Sequence, residues 1–467
     1  MITDLKEKSE VFAKNEKELP PIERTLLFLI FVTSSMFLLQ IRGKYFSLLF
    51  EVVFCVYMIC KKKRIILPKY LLINLIIIEM FLAAIPAFFS EMPLTYRKTA
   101  IDLAIMTLPV YFTFVYIREL LMEGYDVLSL IIKAIKVMVL IQIGWFLMQT
   151  VLWYGLHIDL NKAVFVDRLH LVNNASFIRS WVYYPSGLTW HSAILAPLLV
   201  LAFILFERPV MRALILFVAL LCGNSTALIG VVLTLVLLIL ERMSSSYGRI
   251  SKNRLLVVFA VFFAAIAAVY LSGSMSRVVA SVTRLYTRLF GAERDASTAA
   301  HFGYYKDYLT IFRNSSVPQI FLGYGVGCSG FTITKLYGRY TELSNWAIES
   351  DIVNILVSRG IVGFLLYYGF MFTVMLKGLK VDVRYFIFMA VVFIQGFGYN
   401  IQFDYVFLIE MLLYASIDMG DNFFLHNGKD TRVSSLSVRF RPEVFYSGGD
   451  SWKSRSSVSV ITQAGKS

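Results

Sequence analysis

Charge is scarce in this sequence. Asp, Glu, Lys and Arg together make up 16% of the chain, where an ordinary soluble domain carries about a quarter. With 58% hydrophobic residues and a mean hydropathy of +0.69, the chain lacks the polar surface of a soluble globular enzyme. Cysteine and histidine are also few, four and five residues. No Cys-x-x-Cys pair and no metal-ligand spacing occurs, which excludes a disulfide scaffold or a zinc module. Cys55, Cys60 and Cys222 fall in apolar runs and Cys328 in a polar segment. All four are expected to be buried small hydrophobes. No Asp-x-Asp or paired carboxylates point to a required divalent metal, so no metal and no cofactor is expected. No cleavable signal peptide is expected, because no short apolar core with a small-residue cleavage site follows the first 24 residues. No internal repeat is evident.

What is present is apolar sequence in long runs. They fall at about 25–41, 43–60, 65–89, 99–117, 128–153, 189–206, 211–223, 225–241, 255–272, 351–376, 384–398 and 404–417. A bilayer core takes about 20 apolar residues per helix. The expected fold is an all-α polytopic membrane protein of about 12 transmembrane helices, with a large, partly helical external loop between helices 9 and 10. The divisions are an N-terminal segment 1–24, helices 1–9 in 25–271, the loop 272–350, helices 10–12 in 351–417 and a tail 418–467. The net charge of +14 is mostly punctuation between spans, not a nucleic-acid signature. Lys61–Arg64, Arg118, Arg208, Arg212, Arg242, Arg249 and Lys377–Arg384 fall on one side if the amino terminus is cytoplasmic. Both termini are then expected inside. Glu51, Glu79, Arg359 and Glu410 sit within apolar runs. Each is costly there, so each is expected to face the bundle and find a partner.

Segment 272–350 is rich in aromatic residues, which argues against disorder. Its Arg residues are either solvated surface or an outward-facing anion site, for which the bidentate guanidinium is suited. Near its end runs Phe321-Leu322-Gly323-Tyr324-Gly325-Val326-Gly327. Alternating glycines let the backbone turn tightly and approach a ligand. No βα pattern surrounds them, so a dinucleotide fingerprint is excluded. Next come Glu349-Ser350, nine residues, and Gly360-x-x-Gly363. Glu349, at the expected outer end of the tenth span, is either a general base for a hydroxyl or a carboxylate favoured by the helix dipole. His191 is expected to be an interfacial polar residue.

This order of features resembles the O-antigen and capsule polymerases and the O-antigen ligases (Wzy-type and WaaL-type). That family has about a dozen spans, a large external loop, a glycine-rich element, and then a polar pair followed by Gly-x-x-Gly. Tyr184-Pro185-Ser186-Gly187-Leu188 and Asn224-Ser225-Thr226-Ala227-Leu228 are similar to two further family motifs. The family's ligases carry His at the position of Glu349, so Glu349 favours the polymerase. His301 stands where many relatives have Arg, four residues before an aromatic (here Tyr305), and Arg179 is the nearest Arg to Gly187.

The resemblance implies a metal-independent glycosyltransferase of the bacterial inner membrane. It would transfer a polyprenyl-diphosphate-linked oligosaccharide onto the terminal sugar of another lipid-linked repeat unit, at the outer face. The implied catalytic residue is Glu349, and the implied diphosphate or substrate-binding residues are Arg179, Arg288, His301, Arg313 and Arg339. Implied partners are lipid-linked oligosaccharide, membrane lipid, a chain-length regulator and a flippase. A ligase to lipid A core and a lipid-linked oligosaccharide flippase are the alternatives.

Overall fold

The computed structural model describes residues 17–41, 44–64, 70–89, 92–175, 178–179, 182–189, 191–245, 296–336, 348, 350–399 and 404–427. All of them belong to one compact unit, Met1–Thr431. The expected ninth span at 255–272, most of segment 1–24, the loop before residue 296 and the tail after 427 lie outside the described residues.

The described chain is helical almost throughout. The helices are α1 (Pro21–Thr33), α2 (Phe46–Lys62), α3 (Leu71–Leu82), α4 (Leu94–Met122), α5 (Val127–Leu156), α6 (Ala196–Leu205), α7 (Pro209–Leu221) and α8 (Ser225–Ser245). After them come α9 (Ala296–Asn314), α10 (Val317–Leu322), α11 (Asp351–Gly378), α12 (Val383–Gly398) and α13 (Asp404–Asp418). Two small antiparallel ribbons pair β1 (Gln40–Ile41) with β2 (Lys44–Tyr45), and β3 (Ile178–Arg179) with β4 (Val182–Tyr183).

Four helical stretches among the described residues are long and apolar enough to cross a membrane: Leu71–Phe89, Leu94–Met122, Val127–Leu156 and Asp351–Gly378. Ser192–Leu205, Pro209–Leu221, Thr226–Ile239 and Val383–Phe397 are apolar but shorter. Eleven of the twelve apolar runs thus carry helix, while length and composition support membrane crossing for four stretches.

The helix ends follow local chemistry. Pro20 and Pro21 open α1, where a missing N–H costs nothing. Asp126 caps α5 by accepting from the Ser129 N–H at 3.2 Å, and His157 closes it in the left-handed region. Leu27, Phe54, Phe114, Ile135, Phe146, Leu199, Phe203, Phe370, Val391 and Leu412 are packed into one continuous core. Apolar side chains remain exposed outside it, Leu71, Val151 and Phe89 among them, as a lipid-facing surface would have.

The basic residues at the end of α2 meet acidic residues at the start of α1 and the end of α4. Arg64 pairs with Glu119 at 2.8 Å, Lys62 with Glu123 and Lys61 with Glu23. Arg118 donates to the Tyr70 hydroxyl at 2.9 Å, and Tyr70 packs on Tyr414 near the end of α13. Cys60 departs from the expectation for cysteine. It lies exposed near the end of α2, while Cys55, Cys222 and Cys328 are buried. An amphipathic helix places some apolar-run residues outward, and composition cannot say which.

A second, smaller core lies under segment 296–350. Ala87, Ala100, Tyr304, Ile311, Tyr324, Cys328, Phe331, Ile348, Val353 and Val357 form it. This cluster seats the late loop against α4 and the start of α11.

Candidate functional site

The site is built on α11, and α11 is not straight. Gly360 has φ 66 and ψ −167, outside helical geometry. The Tyr368 hydroxyl donates to Asp351 Oδ2 at 2.8 Å, although the two residues are 17 apart. At about 1.5 Å per residue a straight helix would hold them roughly 25 Å apart. Residues 351–359 therefore fold back along 361–378, with Gly360 at the bend. The run read from sequence as one span at 351–376 is thus divided at Gly360 into two arms, although the whole stretch Asp351–Gly378 has the length and composition of a span. Ser350 and Asp351 are fully buried, at 0% exposure.

The glycine-rich run holds that bend. A fold-back at Gly360 frees the carbonyls of Val357 and Ser358, which would be costly to bury unpaired. The Tyr324 N–H donates to Val357 O at 2.8 Å and the Gly325 N–H to Ser358 O at 3.1 Å. One residue on, the Val326 N–H donates to Ala83 O at 3.1 Å, in the break after α3. A Cβ on Gly323 would come within 2.4 Å of the Ser358 carbonyl carbon, and one on Gly360 within 2.4 Å of the Phe321 carbonyl carbon. The run was expected to bring backbone close to a ligand. Here it brings backbone close to two broken helices, and these three N–H groups are spent on their carbonyls.

Beside the bend, Arg359 donates to Glu79 from Nε, at 2.9 Å to Oε2 and 3.2 Å to Oε1. Gly363 leaves room for the pair, since a Cβ there would lie 2.7 Å from Glu79 Oε1. Further into the bundle lie Asp351, Tyr367, Tyr368 and Glu410, all buried. Asp351 and Glu410 act on each other electrostatically, and Arg359 acts on Tyr367.

Ser350 ties this cluster to α9. Its Oγ donates to the Tyr305 hydroxyl at 3.0 Å, and Tyr305 donates to Phe397 O at 3.2 Å. Burial pushes the Tyr305 phenol up, which keeps it a donor. At the same end of α12, Gln395 Nε2 donates to Thr226 O at 3.2 Å. Asn224 caps α8 by accepting from Thr226 N at 2.8 Å. The Tyr184 ring covers Gly223, where a Cβ would lie 2.5 Å from it. His191 stacks on Tyr399 with ring centroids 5.3 Å apart. Motifs read separately along the sequence, at 184–188, 224–228 and 350–363, thus meet through Gln395, Phe397 and Tyr305.

The turn 186–188 rests on polar side chains that sequence reading passed over. Gln142 Oε1 accepts from Leu188 N at 2.8 Å, Gln149 Oε1 accepts from Gly187 N at 2.8 Å, and Asn161 Nδ2 donates to Gly187 O at 3.0 Å. Gly187 has φ +65, and a Cβ there would meet Gln142 Oε1 at 2.4 Å. Gln142 and Gln149 stand two turns apart on α5, on one face, and that spacing inside an apolar helix was the available signal.

Of the sequence-selected site residues, Glu349, Arg288 and Arg339 lie outside the described residues. His301 is in α9, one turn before Tyr305. Arg179 is in β3, opposite Val182. Arg313 is near the far end of α9, about 12 Å along the axis from Tyr305, and is exposed.

Comparison with known protein families, with characterised proteins and with solved structures finds no match.

Proposed function

We propose that this chain is a metal-independent glycan polymerase of a bacterial inner membrane, with both termini cytoplasmic and about 12 spans. Its donor is a polyprenyl-diphosphate-linked oligosaccharide and its acceptor the terminal sugar of another lipid-linked repeat unit. The observation that carries the reading is the convergence at Tyr305. Ser350, the neighbour of Glu349 in sequence, bonds to the same hydroxyl that fixes α9 against Phe397. His301 is one turn away on that helix.

In the proposed reaction the acceptor hydroxyl attacks the anomeric carbon of the donor. A C–O bond forms there and the bond from that carbon to the diphosphate oxygen breaks. Glu349 takes the hydroxyl proton, and the electron pair leaves with the lipid diphosphate. Arg179, Arg288, Arg339 and Arg313, with His301, are the candidates to neutralise the departing charge.

A second reading has its own support. The fold-back at Gly360 and the break after Leu82 are discontinuous helices with charged groups between them, as in secondary transporters. Under that reading the chain moves lipid-linked oligosaccharide between leaflets.

One experiment separates the two. Purified protein in nanodiscs is given lipid-diphosphate-linked repeat units with EDTA, and products are resolved on a gel. The polymerase gives a ladder, which Glu349→Gln and Arg339→Ala abolish while the protein stays folded. Leaflet exchange in liposomes without a ladder supports the flippase. Transfer that needs added lipid A core supports the ligase.

A further inference from the structure

Several charged groups are buried around α11. Arg359 is matched by Glu79. Asp351 acts on Glu410 electrostatically, and both are at 0% exposure. Among the described residues, Arg359 is the cation that acts on the neighbouring Tyr367. Glu410 differs from the rest in having no hydrogen bond to either carboxyl oxygen. Tyr367 stands beside it with its hydroxyl also unbonded, so the two make no hydrogen bond of acceptable geometry. An ionised carboxylate without a donor in an apolar interior costs far more than a neutral carboxyl group.

We infer that Glu410, with Asp351 and Tyr367 around it, is a proton-binding site in the middle of the helix bundle. The site holds its proton in the resting protein. The Tyr367 hydroxyl is the polar group beside the Glu410 carboxyl, and neither makes a hydrogen bond in this structure. A metal cation fits less well. No group of three His, Cys, Asp or Glu side chains gathers among the described residues. The Val357 and Ser358 carbonyls freed by the bend are already taken by Tyr324 and Gly325.

The charged and titratable groups on the neighbouring described elements have partners of their own. On α11, Asp351 and Tyr367 act on Glu410, Tyr368 bonds to Asp351, and Arg359, which acts on Tyr367, is bound to Glu79 of α3. On α4, Arg118 is bound to Tyr70 at 2.9 Å and Tyr111 to Asn74 at 2.7 Å. Past the end of α13, His426 is held by Asp421 at 2.9 Å. The site does not depend on the polymerase reading and holds equally for a transporter.

Loss of the proton would set two carboxylates against each other at the seat of the folded-back arm 351–359. That arm carries Ser350 at its start, so the protonation state of Glu410 bears on the candidate site.

The test is infrared spectroscopy of the full chain in nanodiscs at neutral pH. A protonated carboxyl group gives a carbonyl stretch apart from that of carboxylate, and heavy water shifts it. The expected result is such a band in the wild type, moved by carbon-13 labelling of glutamate and lost in Glu410→Gln. No band, or a band that glutamate labelling leaves in place, overturns the proposal without any variant having to fold. A band that vanishes when Na⁺ is added at constant pH assigns the site to a metal cation and also overturns it. Amide hydrogen exchange at 351–359 supplies a second readout. After correction for the intrinsic exchange rate, protection there is expected to fall with pH in the wild type and to stay constant in Glu410→Gln; equal pH dependence in both would overturn the coupling to the arm.

Discussion

Arg359 and Glu79 meet across 280 residues of chain, with Nε 2.9 Å from the nearer carboxylate oxygen, and both side chains are at most 4% exposed. The contact pins the folded-back arm of α11 to α3 next to both helix breaks. Removing one partner leaves a buried, unpaired charge, which costs about 3–5 kcal/mol. Arg359→Ala and Glu79→Ala are each expected to lower the melting temperature sharply in detergent. The double change Glu79→Gln with Arg359→Met is expected to recover much of the loss. Additive losses in the double variant would mean that the two side chains do not act as a pair.

Gly360→Ala strikes the bend itself. The substitution adds left-handed strain and a backbone clash with Phe321, each costing about 1–3 kcal/mol. Yield and thermal stability are expected to collapse. Gly369→Ala is the control on the same helix, since a Cβ there meets nothing within 4 Å. It is expected to be neutral or to gain up to about 1 kcal/mol. Equal tolerance of the two would argue against a fold-back at Gly360.

Cysteine labelling reads the packing directly. Cys60 is exposed and Cys328 is buried in the small core under the late loop. Burial pushes the Cys328 thiol up to about 12, so little thiolate forms at neutral pH. A small maleimide is expected to modify the folded protein at Cys60 and to reach Cys328 after denaturation. Mass spectrometry of peptides would show rapid Cys328 labelling in the folded state if the small core were absent.

Asp382 gives the protein an acid limit. It caps α12, accepting from Arg384 N at 2.9 Å and from Asn422 Nδ2 at 3.0 Å. Burial alone would raise this carboxyl group. The hydrogen bonds and charge of Arg384, with the Asn422 bond, outweigh burial and hold it below the usual carboxylate range. An unfolded Asp titrates near 3.9. The stabilisation is therefore complete above about pH 5 and is lost as pH falls through the lower folded value. Melting curves across that window are expected to show an acid-labile component that Asp382→Asn removes. An unchanged pH profile in the variant would sink the assignment.

Much of the architecture was legible because helices obey a local rule. The apolar run at 128–153 became α5 nearly to the residue, and the run at 404–417 became α13. Glu79 and Arg359 were readable as groups that must find partners, since an isolated charge in an apolar run is too costly to leave alone. That they partner each other was not readable. Nothing local links positions 79 and 359, and α11 would have carried Arg359 elsewhere had it been straight. The run at 351–376 looked like one span for the same reason. Helical propensity and hydropathy continue through Gly360, and a single glycine does not announce a reversal of direction.

The sequence alone determined that this chain is helical, apolar and suited to a membrane, because hydrophobic periodicity and segment length act over a few turns. It also marked the isolated charges in apolar runs, Glu79, Arg359 and Glu410 among them, as groups that the fold must accommodate. Tertiary structure decided what those residues face. The glycines at 323–327 could have cradled a ligand or a backbone, and the carbonyls freed at Val357 and Ser358 settled the matter by needing donors. Asp351 could have sat at a surface, but the hydrogen bond to Tyr368 draws it into the core. Those outcomes depend on groups far apart in the chain competing for the same buried partners, and only the folded arrangement fixes which of them meet.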